Sequence, residues 1–237
     1  MSSGPILTEP PNAGRGAERI AAAVDRLAAG MARHWVALFC AILLIFMGIP
    51  FLAPIFMAAG LESPARLIYL IYRPTCHQLP DRSFFFFGEQ HVYSMTELEA
   101  AGAISSGLNP AQRLMLRYPG NSELGYKVAI CERDLGIYGG LLIGLLSFAG
   151  LDRALRRRGQ RFPRMPFWLY ALTVIPIAVD GLSQLFGLRE SNYILRLATG
   201  ILFGVSSAWL FAPYVQAAME DVVRTSARTK TPVVARK

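Results

Sequence analysis

The stretch WVALFCAILLIFMGIPFLAPIFMAA, residues 35–59, carries no charged side chain and is interrupted only by Pro50 and Pro54. A helix needs about 20 apolar residues to cross the hydrocarbon core of a bilayer, because it rises about 1.5 Å per residue. Residues 35–59 are long enough to do so. We therefore predict a transmembrane helix here and an integral membrane protein.

Three further apolar segments follow, at residues 135–151, 167–188 and 193–215. The chain as a whole is 53% hydrophobic and 17% charged. Soluble domains contain about 25% charged residues, so the composition also favours a membrane protein. We predict an all-α, polytopic fold with about four transmembrane helices in contact with the lipid bilayer.

The basic residues predict the orientation of these helices. Four arginines precede residue 35, six lie in residues 152–166, and five lysines and arginines follow residue 215. Residues 61–134 are nearly neutral, with seven basic and eight acidic residues. Because cytoplasmic flanks carry the excess of basic residues, both termini are predicted to be cytoplasmic, in a multi-pass protein of the cell inner membrane. This bias also explains the net charge of +8 without nucleic-acid binding.

The flanking segments divide the rest of the chain. Residues 1–16 are rich in Gly, Pro, Ser and Asn and are predicted to be disordered. Residues 17–34 are predicted to form an amphipathic cytoplasmic helix, either on the membrane surface or continuous with the first transmembrane helix. Residues 152–166 form a basic cytoplasmic loop, and residues 216–237 form a basic cytoplasmic tail.

Residues 60–134 are predicted to form an external lid of short helices, because a structureless connection of this length is uncommon. Ser94 or Thr96 can cap one helix, and Asn109 can cap another that has Pro110 at its first position. Residues 84–87 are four consecutive phenylalanines, which cannot all face one core. Some of these rings are expected at the membrane interface.

Polar residues within or beside the membrane are costly and therefore indicate a site or an ion pair. With the predicted topology, they gather on the external side. The candidates for catalysis are His77, Asp134, Asp180 and Arg196. The candidates for ligand binding are Gln78, Arg82, Arg133, Tyr138, Gln184, Arg189 and Asn192. Asp180 and Arg196 are also predicted to pair, because either charge alone in hydrocarbon is unfavourable.

These residues fall in three blocks: CHQLPDRS at residues 76–83, CERDLGIY at residues 131–138, and DGLSQLFGLRESNYILR at residues 180–196. The blocks resemble those of a family of small prokaryotic integral membrane proteins classified as a domain of unknown function. The resemblance spans about residues 65–205. It implies a membrane location and a shared polar site, and it implies no activity.

Cys76 and Cys131 allow several interpretations on the external side, where disulfides persist. A disulfide between them would close a loop of about 55 residues and stabilise the fold by about 4 kcal/mol. Alternatively, Cys76, His77 and Cys131 could bind zinc or copper, with Asp134 or His91 as a further ligand. Redox catalysis is a third interpretation, although the chain contains no CxxC pair. Cys40 is predicted to be a buried apolar residue.

Two classes of function follow from this sequence. In the first, the polar site belongs to an enzyme or to a binder of a metal or small ligand. In the second, the protein is a non-catalytic accessory or assembly subunit of a membrane complex, and the polar network only stabilises the helix bundle. A homo-oligomer is compatible with both.

Overall fold

The computed structural model describes residues 13–185, 189 and 191–229. Of the segment predicted to be disordered, residues 1–12 lie outside this part, and residues 13–16 are helical because the first helix begins at Ala13. Residues 186–188 and 230–237, at the ends of two predicted segments, also lie outside it. The described helices are α1 (Ala13–Arg33), α2 (Trp35–Ala58), α3 (Glu62–Tyr72), α4 (Met95–Ala100), α5 (Pro110–Leu114), α6 (Glu132–Arg157), α7 (Phe167–Leu185) and α8 (Tyr193–Thr229).

Four of these helices, α2, α6, α7 and α8, are long and apolar enough to cross a membrane. Many of their large apolar side chains are exposed, among them Leu44, Ile143 and Leu172. Such surfaces would be unfavourable in water and suit contact with lipid. The prediction of a mainly helical, polytopic membrane protein is therefore confirmed.

The described residues form two units, one made of residues 13–38 and 214–229 and the other of those within 39–213. In the first unit, α1 exposes Ile20, Val24, Leu27 and Met31. Its backbone hydrogen bonds continue through the junction with α2, since Leu38 N donates to His34 O.

The second unit contains the connecting segment, residues 59–131, between α2 and α6. Besides α3, α4 and α5 it holds a 3-10 helix at Pro80–Arg82 and three strands: β1 (Ser83–Phe86), β2 (Gly120–Asn121) and β3 (Gly125–Cys131). The strands form an antiparallel sheet in the order β1-β3-β2. The sequence predicted short helices only, so the sheet is a correction to that prediction. The phenylalanine run in β1 concealed it, because four apolar residues show no alternation.

Capping residues start the short helices as predicted. Ser94 caps α4, and Asn109 caps α5 with Pro110 at the first position. In both helices the side chain at the third position bonds back to the cap, which satisfies two terminal backbone donors. Phe85 is fully buried whereas Phe87 is 60% exposed, so the phenylalanine run is divided between core and surface.

Glycines bring α6 and α8 into backbone contact. A Cβ atom added to Gly140 would clash with Ile201 O, and one added to Gly200 would lie 2.7 Å from Arg133 O. Small residues at these positions allow the two helix backbones to approach closely. This approach places the first turn of α6 directly against the first turns of α8, where the polar residues are concentrated.

Candidate functional site

Cys76 and Cys131, which are far apart in the sequence, lie next to each other in the structure. Cys76 follows α3, and Cys131 ends β3, where it pairs across the sheet with Ser83. Cys131 N donates a hydrogen bond of 3.2 Å to Cys76 Sγ. Both sulfur atoms and a carboxylate oxygen of Asp134 lie within 4.8 Å of one another. The predicted proximity of the two cysteines is therefore present, and both are free thiols in this structure.

Cys131 is also the N-cap of α6, which explains why that helix begins at Glu132 instead of the predicted residue 135. Its Sγ accepts a hydrogen bond from Asp134 N at 3.5 Å, and its thiol donates to Asp134 Oδ2 at 3.1 Å. The pKa of the Cys131 thiol is raised well above its ordinary value, first by a hydrogen bond with Cys76 and then by burial. The thiol is therefore protonated at neutral pH when no cation stabilises the thiolate.

The neighbours of Cys76 in sequence have different roles. His77 is exposed, and the cluster formed by Cys76, Cys131 and Asp134 does not include it. His77 is therefore not part of this cluster, and its role as a metal ligand stays a prediction. Gln78 is buried, with a φ of 55°, and its Nε2 donates to Tyr69 O at 2.8 Å.

Asp180 is held by two arginines, neither of which is Arg196. Its Oδ2 accepts from Arg133 Nη2 at 2.5 Å, and its Oδ1 accepts from Arg189 Nη2 at 2.6 Å. Gln184 Nε2 adds a hydrogen bond of 3.0 Å to Oδ2. With both oxygens occupied, Asp180 joins α6, α7 and the start of the turn that leads to α8. The predicted Asp180–Arg196 pair is wrong.

Arg196 instead pairs with Glu132, a residue that the sequence analysis did not select. Arg196 Nη1 lies 2.9 Å from Glu132 Oε2 and 3.0 Å from Asp81 O, and its Nε lies 3.3 Å from Gln184 Oε1. One side chain of α8 thus contacts α6, α7 and the connecting segment. Glu132 could have been recognised in the sequence CERD, because Glu132 is a carboxylate at the first position of an apolar helix.

A cavity of about 540 Å³ lies where the connecting segment meets α7 and α8. Five residues predicted to form the site line it: Arg82, Gln184, Arg189, Asn192 and Arg196. Its volume falls within the range of small-molecule sites. Several of these residues already have structural partners, since Asn192 Oδ1 caps α8 by accepting from Leu195 N at 2.8 Å.

The predicted site is therefore divided between two places. Cys76, Cys131 and Asp134 form a compact cluster, whereas Arg82, Gln184, Arg189, Asn192 and Arg196 surround the cavity. Tyr138 packs edge-on against Phe46, with 5.0 Å between ring centroids. The cluster offers two thiols and a carboxylate, which are ligands for a metal ion, and the cavity offers hydrogen-bond donors.

Comparison with known proteins gives a family and no activity. The model of a family described as "Predicted membrane protein (DUF2085)" matches residues 122–210, which include Cys131, Asp134, Asp180 and Arg196. An uncharacterized protein of Methanocaldococcus jannaschii is 28% identical over 188 residues, which is 77% of this chain and 93% of that protein. An uncharacterized protein of Methanothermobacter thermautotrophicus is 36% identical over 86 residues, which is 36% of this chain and 71% of that protein. No solved structure matches this chain.

Proposed function

Because this chain belongs to the DUF2085 family of predicted membrane proteins, we propose that it is a multi-pass membrane protein that binds a metal ion through Cys76, Cys131 and Asp134. The observation that carries this proposal is the clustering of three potential ligand atoms within 4.8 Å of one another. Two sulfurs bound to one zinc ion in tetrahedral geometry lie about 3.8 Å apart, since each Zn–S bond is about 2.3 Å long. The cluster is compatible with that geometry.

Hydrogen bonds to the sulfur atoms support the same proposal. Cys76 Sγ accepts from Cys131 N at 3.2 Å and from Gln78 N at 3.4 Å, and Cys131 Sγ accepts from Asp134 N. Backbone N–H groups directed at sulfur stabilise a thiolate and orient it toward a metal. The left-handed backbone of Gln78 brings its N–H to Cys76, and such unusual backbone conformations concentrate at functional sites.

The charge of the surroundings also suits a bound dication. Two thiolates and one carboxylate around a divalent ion leave a net charge of −1. Lys127 is buried nearby and interacts electrostatically with Cys76, so its ammonium group can balance that charge. Thiolate ligands favour zinc or copper over magnesium or calcium. Three protein ligands leave a fourth position for water or a substrate, as in catalytic zinc sites.

The basic flanks of the membrane helices support an external location for this site. Both termini and residues 158–166 would then be cytoplasmic, and the connecting segment would lie outside the cell inner membrane. An epitope inserted at the exposed turn residue Gly107 should bind antibody in intact spheroplasts, and a C-terminal tag should bind only after permeabilisation. The reverse pattern would contradict this orientation.

The test of the metal site uses the purified full-length protein. We expect about one equivalent of zinc or copper by elemental analysis, and two thiols that become reactive only after a chelator removes the metal. Cys76→Ser, Cys131→Ser and Asp134→Asn should each lose the metal. His77→Ala and Cys40→Ser should keep it, because His77 is exposed outside the cluster and Cys40 is buried within α2.

A disulfide is the competing arrangement of the same two sulfurs. If Cys76 and Cys131 react only after reduction and the protein contains no metal, the proposal is overturned and the cysteines are structural. The ligand-binding roles of Arg82, Gln184, Arg189 and Asn192 stay predictions. The geometry of the cavity is compatible with them, and the protein contacts already made by these residues also suit a structural role.

A further inference from the structure

A second cavity, of about 440 Å³, is lined by four basic side chains: Arg66, Arg73, Arg117 and Lys127. Among the described residues, no carboxylate lines it. Arg66 has a partner in Glu62 at 2.7 Å, and this pair is largely exposed. The remaining three cations leave a strong local excess of positive charge, which attracts an anion.

Lys127 is the least ordinary member of this group, because it is only 3% exposed on the central strand β3. Its ammonium group donates to Gln78 O and lies 5.7 Å from the centroid of the Tyr69 ring. An ammonium group has three N–H donors, so in the described part of the chain two are left without a hydrogen-bond acceptor. Burial lowers the pKa of Lys127 to about 8.

The rim of the cavity is apolar and exposed along α3. Leu70 lines the cavity and is 56% exposed, and Leu67 and Ile71, beside it on the helix, are exposed to a similar extent. Arginine and lysine donors beside exposed leucines match a phosphate group that carries acyl chains. We propose that this cavity binds a phosphate group, with the headgroup of an anionic phospholipid as its source.

This proposal shares Lys127 with the charge balance proposed at the metal site but uses none of the metal ligands, and its test uses the full-length protein in neutral detergent. The probes are phosphatidylglycerol, phosphatidylcholine and inorganic phosphate, with binding measured by native mass spectrometry and by the shift in melting temperature. Phosphatidylglycerol should bind and raise the melting temperature more than phosphatidylcholine. If inorganic phosphate competes with it at millimolar concentration, free phosphate is also a ligand; if it does not, the lipid is the source.

The variant that tests the site is Arg73→Gln combined with Arg117→Gln, since both side chains are exposed and their replacement should leave the fold intact. Each charge-assisted hydrogen bond contributes about 1.5 kcal/mol, so the double variant should bind phosphatidylglycerol at least about tenfold more weakly than the wild type. Lys127→Met should abolish binding if the variant folds. Arg113→Gln is the matched control, because it is an exposed arginine of the same segment outside this cavity.

Equal binding of phosphatidylglycerol by the wild type and the double variant would overturn the proposal. The proposal would also be overturned if the wild type bound phosphatidylglycerol and phosphatidylcholine equally and inorganic phosphate neither competed with them nor changed the melting temperature. Cys76→Ser should retain the lipid while losing the metal, so failure of either proposal can be recognised separately.

Discussion

Arg196 and Glu132 form an ion pair in which Nη1 and Oε2 lie 2.9 Å apart, with the two side chains 7% and 0% exposed. The pair joins α8 to the first residue of α6, and Arg196 also donates to the backbone of the connecting segment at Asp81. A buried charge that loses its partner destabilises a protein by about 3–5 kcal/mol. This pair therefore links the packing of the membrane helices to the position of Cys131, the residue before Glu132.

Glu132→Ala should lower stability by about 3–5 kcal/mol, because Arg196 would remain buried without its carboxylate. The measurement is thermal unfolding in detergent, followed by size-exclusion chromatography. Glu62→Gln is the control, since it breaks the exposed Arg66–Glu62 pair, and exposed pairs contribute at most about 1 kcal/mol. Similar melting temperatures for the two variants would show that the buried pair contributes no more to stability than the exposed pair does.

Gly140→Ala should destabilise the α6–α8 contact by about 1–3 kcal/mol, as overpacking usually does. The new methyl group would meet the backbone oxygen of Ile201, which cannot move aside as a side chain can. Gly150→Ala, on the same helix, has no neighbour within 4 Å and should be neutral or stabilising. The melting temperatures of the two variants are compared. If Gly140→Ala lowers the melting temperature no more than Gly150→Ala does, the close approach of α6 and α8 at Gly140 is refuted.

Asp180→Asn should destabilise the fold and leave metal binding intact. The substitution removes the charge that compensates both Arg133 and Arg189, while the cluster of Cys76, Cys131 and Asp134 keeps all its ligands. Melting temperature and metal content measured on one preparation separate these effects. Asp221→Asn, an exposed acid of α8, is the control. A stable, folded Asp180→Asn protein without metal would instead place Asp180 in the binding site.

The cap of α4 should make that helix sensitive to acid. Hydrogen bonds from Ser94 N and Ser94 Oγ lower the pKa of Glu97 below its ordinary value of about 4.5. Because the folded pKa is the lower one, the stabilisation is fully present above about pH 4.5 and is lost as the pH falls through the folded value. Protection factors from hydrogen exchange for α4 should therefore fall between pH 7 and pH 3.

Glu97→Gln should flatten this dependence on pH, and Ser94→Ala should destabilise α4 by about 1 kcal/mol at neutral pH. Glu99→Gln lies on the same helix outside the capping box and should leave the pH profile unchanged. An identical profile in Glu97→Gln and the wild type would exclude the cap as its cause.

Local patterns in the sequence were sufficient to predict the helical framework. The apolar length of residues 35–59 identified α2, and Ser94 and Asn109 marked two helix starts. These features depend on interactions within one or two turns, or on the contact of an entire segment with lipid. They can be recognised without knowing how the helices are arranged.

The pairing of charges was not predictable in the same way. Which arginine meets Asp180, and whether Glu132 or Asp180 faces Arg196, depends on the axial offset and rotation of α6, α7 and α8. The offset and rotation of these helices are set by their packing against one another, and no local sequence pattern specifies them.

The sequence by itself thus determined that the chain is a helical membrane protein with two cysteines and several charges near one end of its helices. Only the tertiary structure decided that Cys76, Cys131 and Asp134 cluster without His77, and that Lys127 is buried in a basic cavity. The antiparallel sheet fixes the positions of Cys131 and Lys127, because its register pairs Cys131 with Ser83 and Lys127 with Phe85. Pairing between segments about 45 residues apart is a property of the folded chain, not of any local pattern.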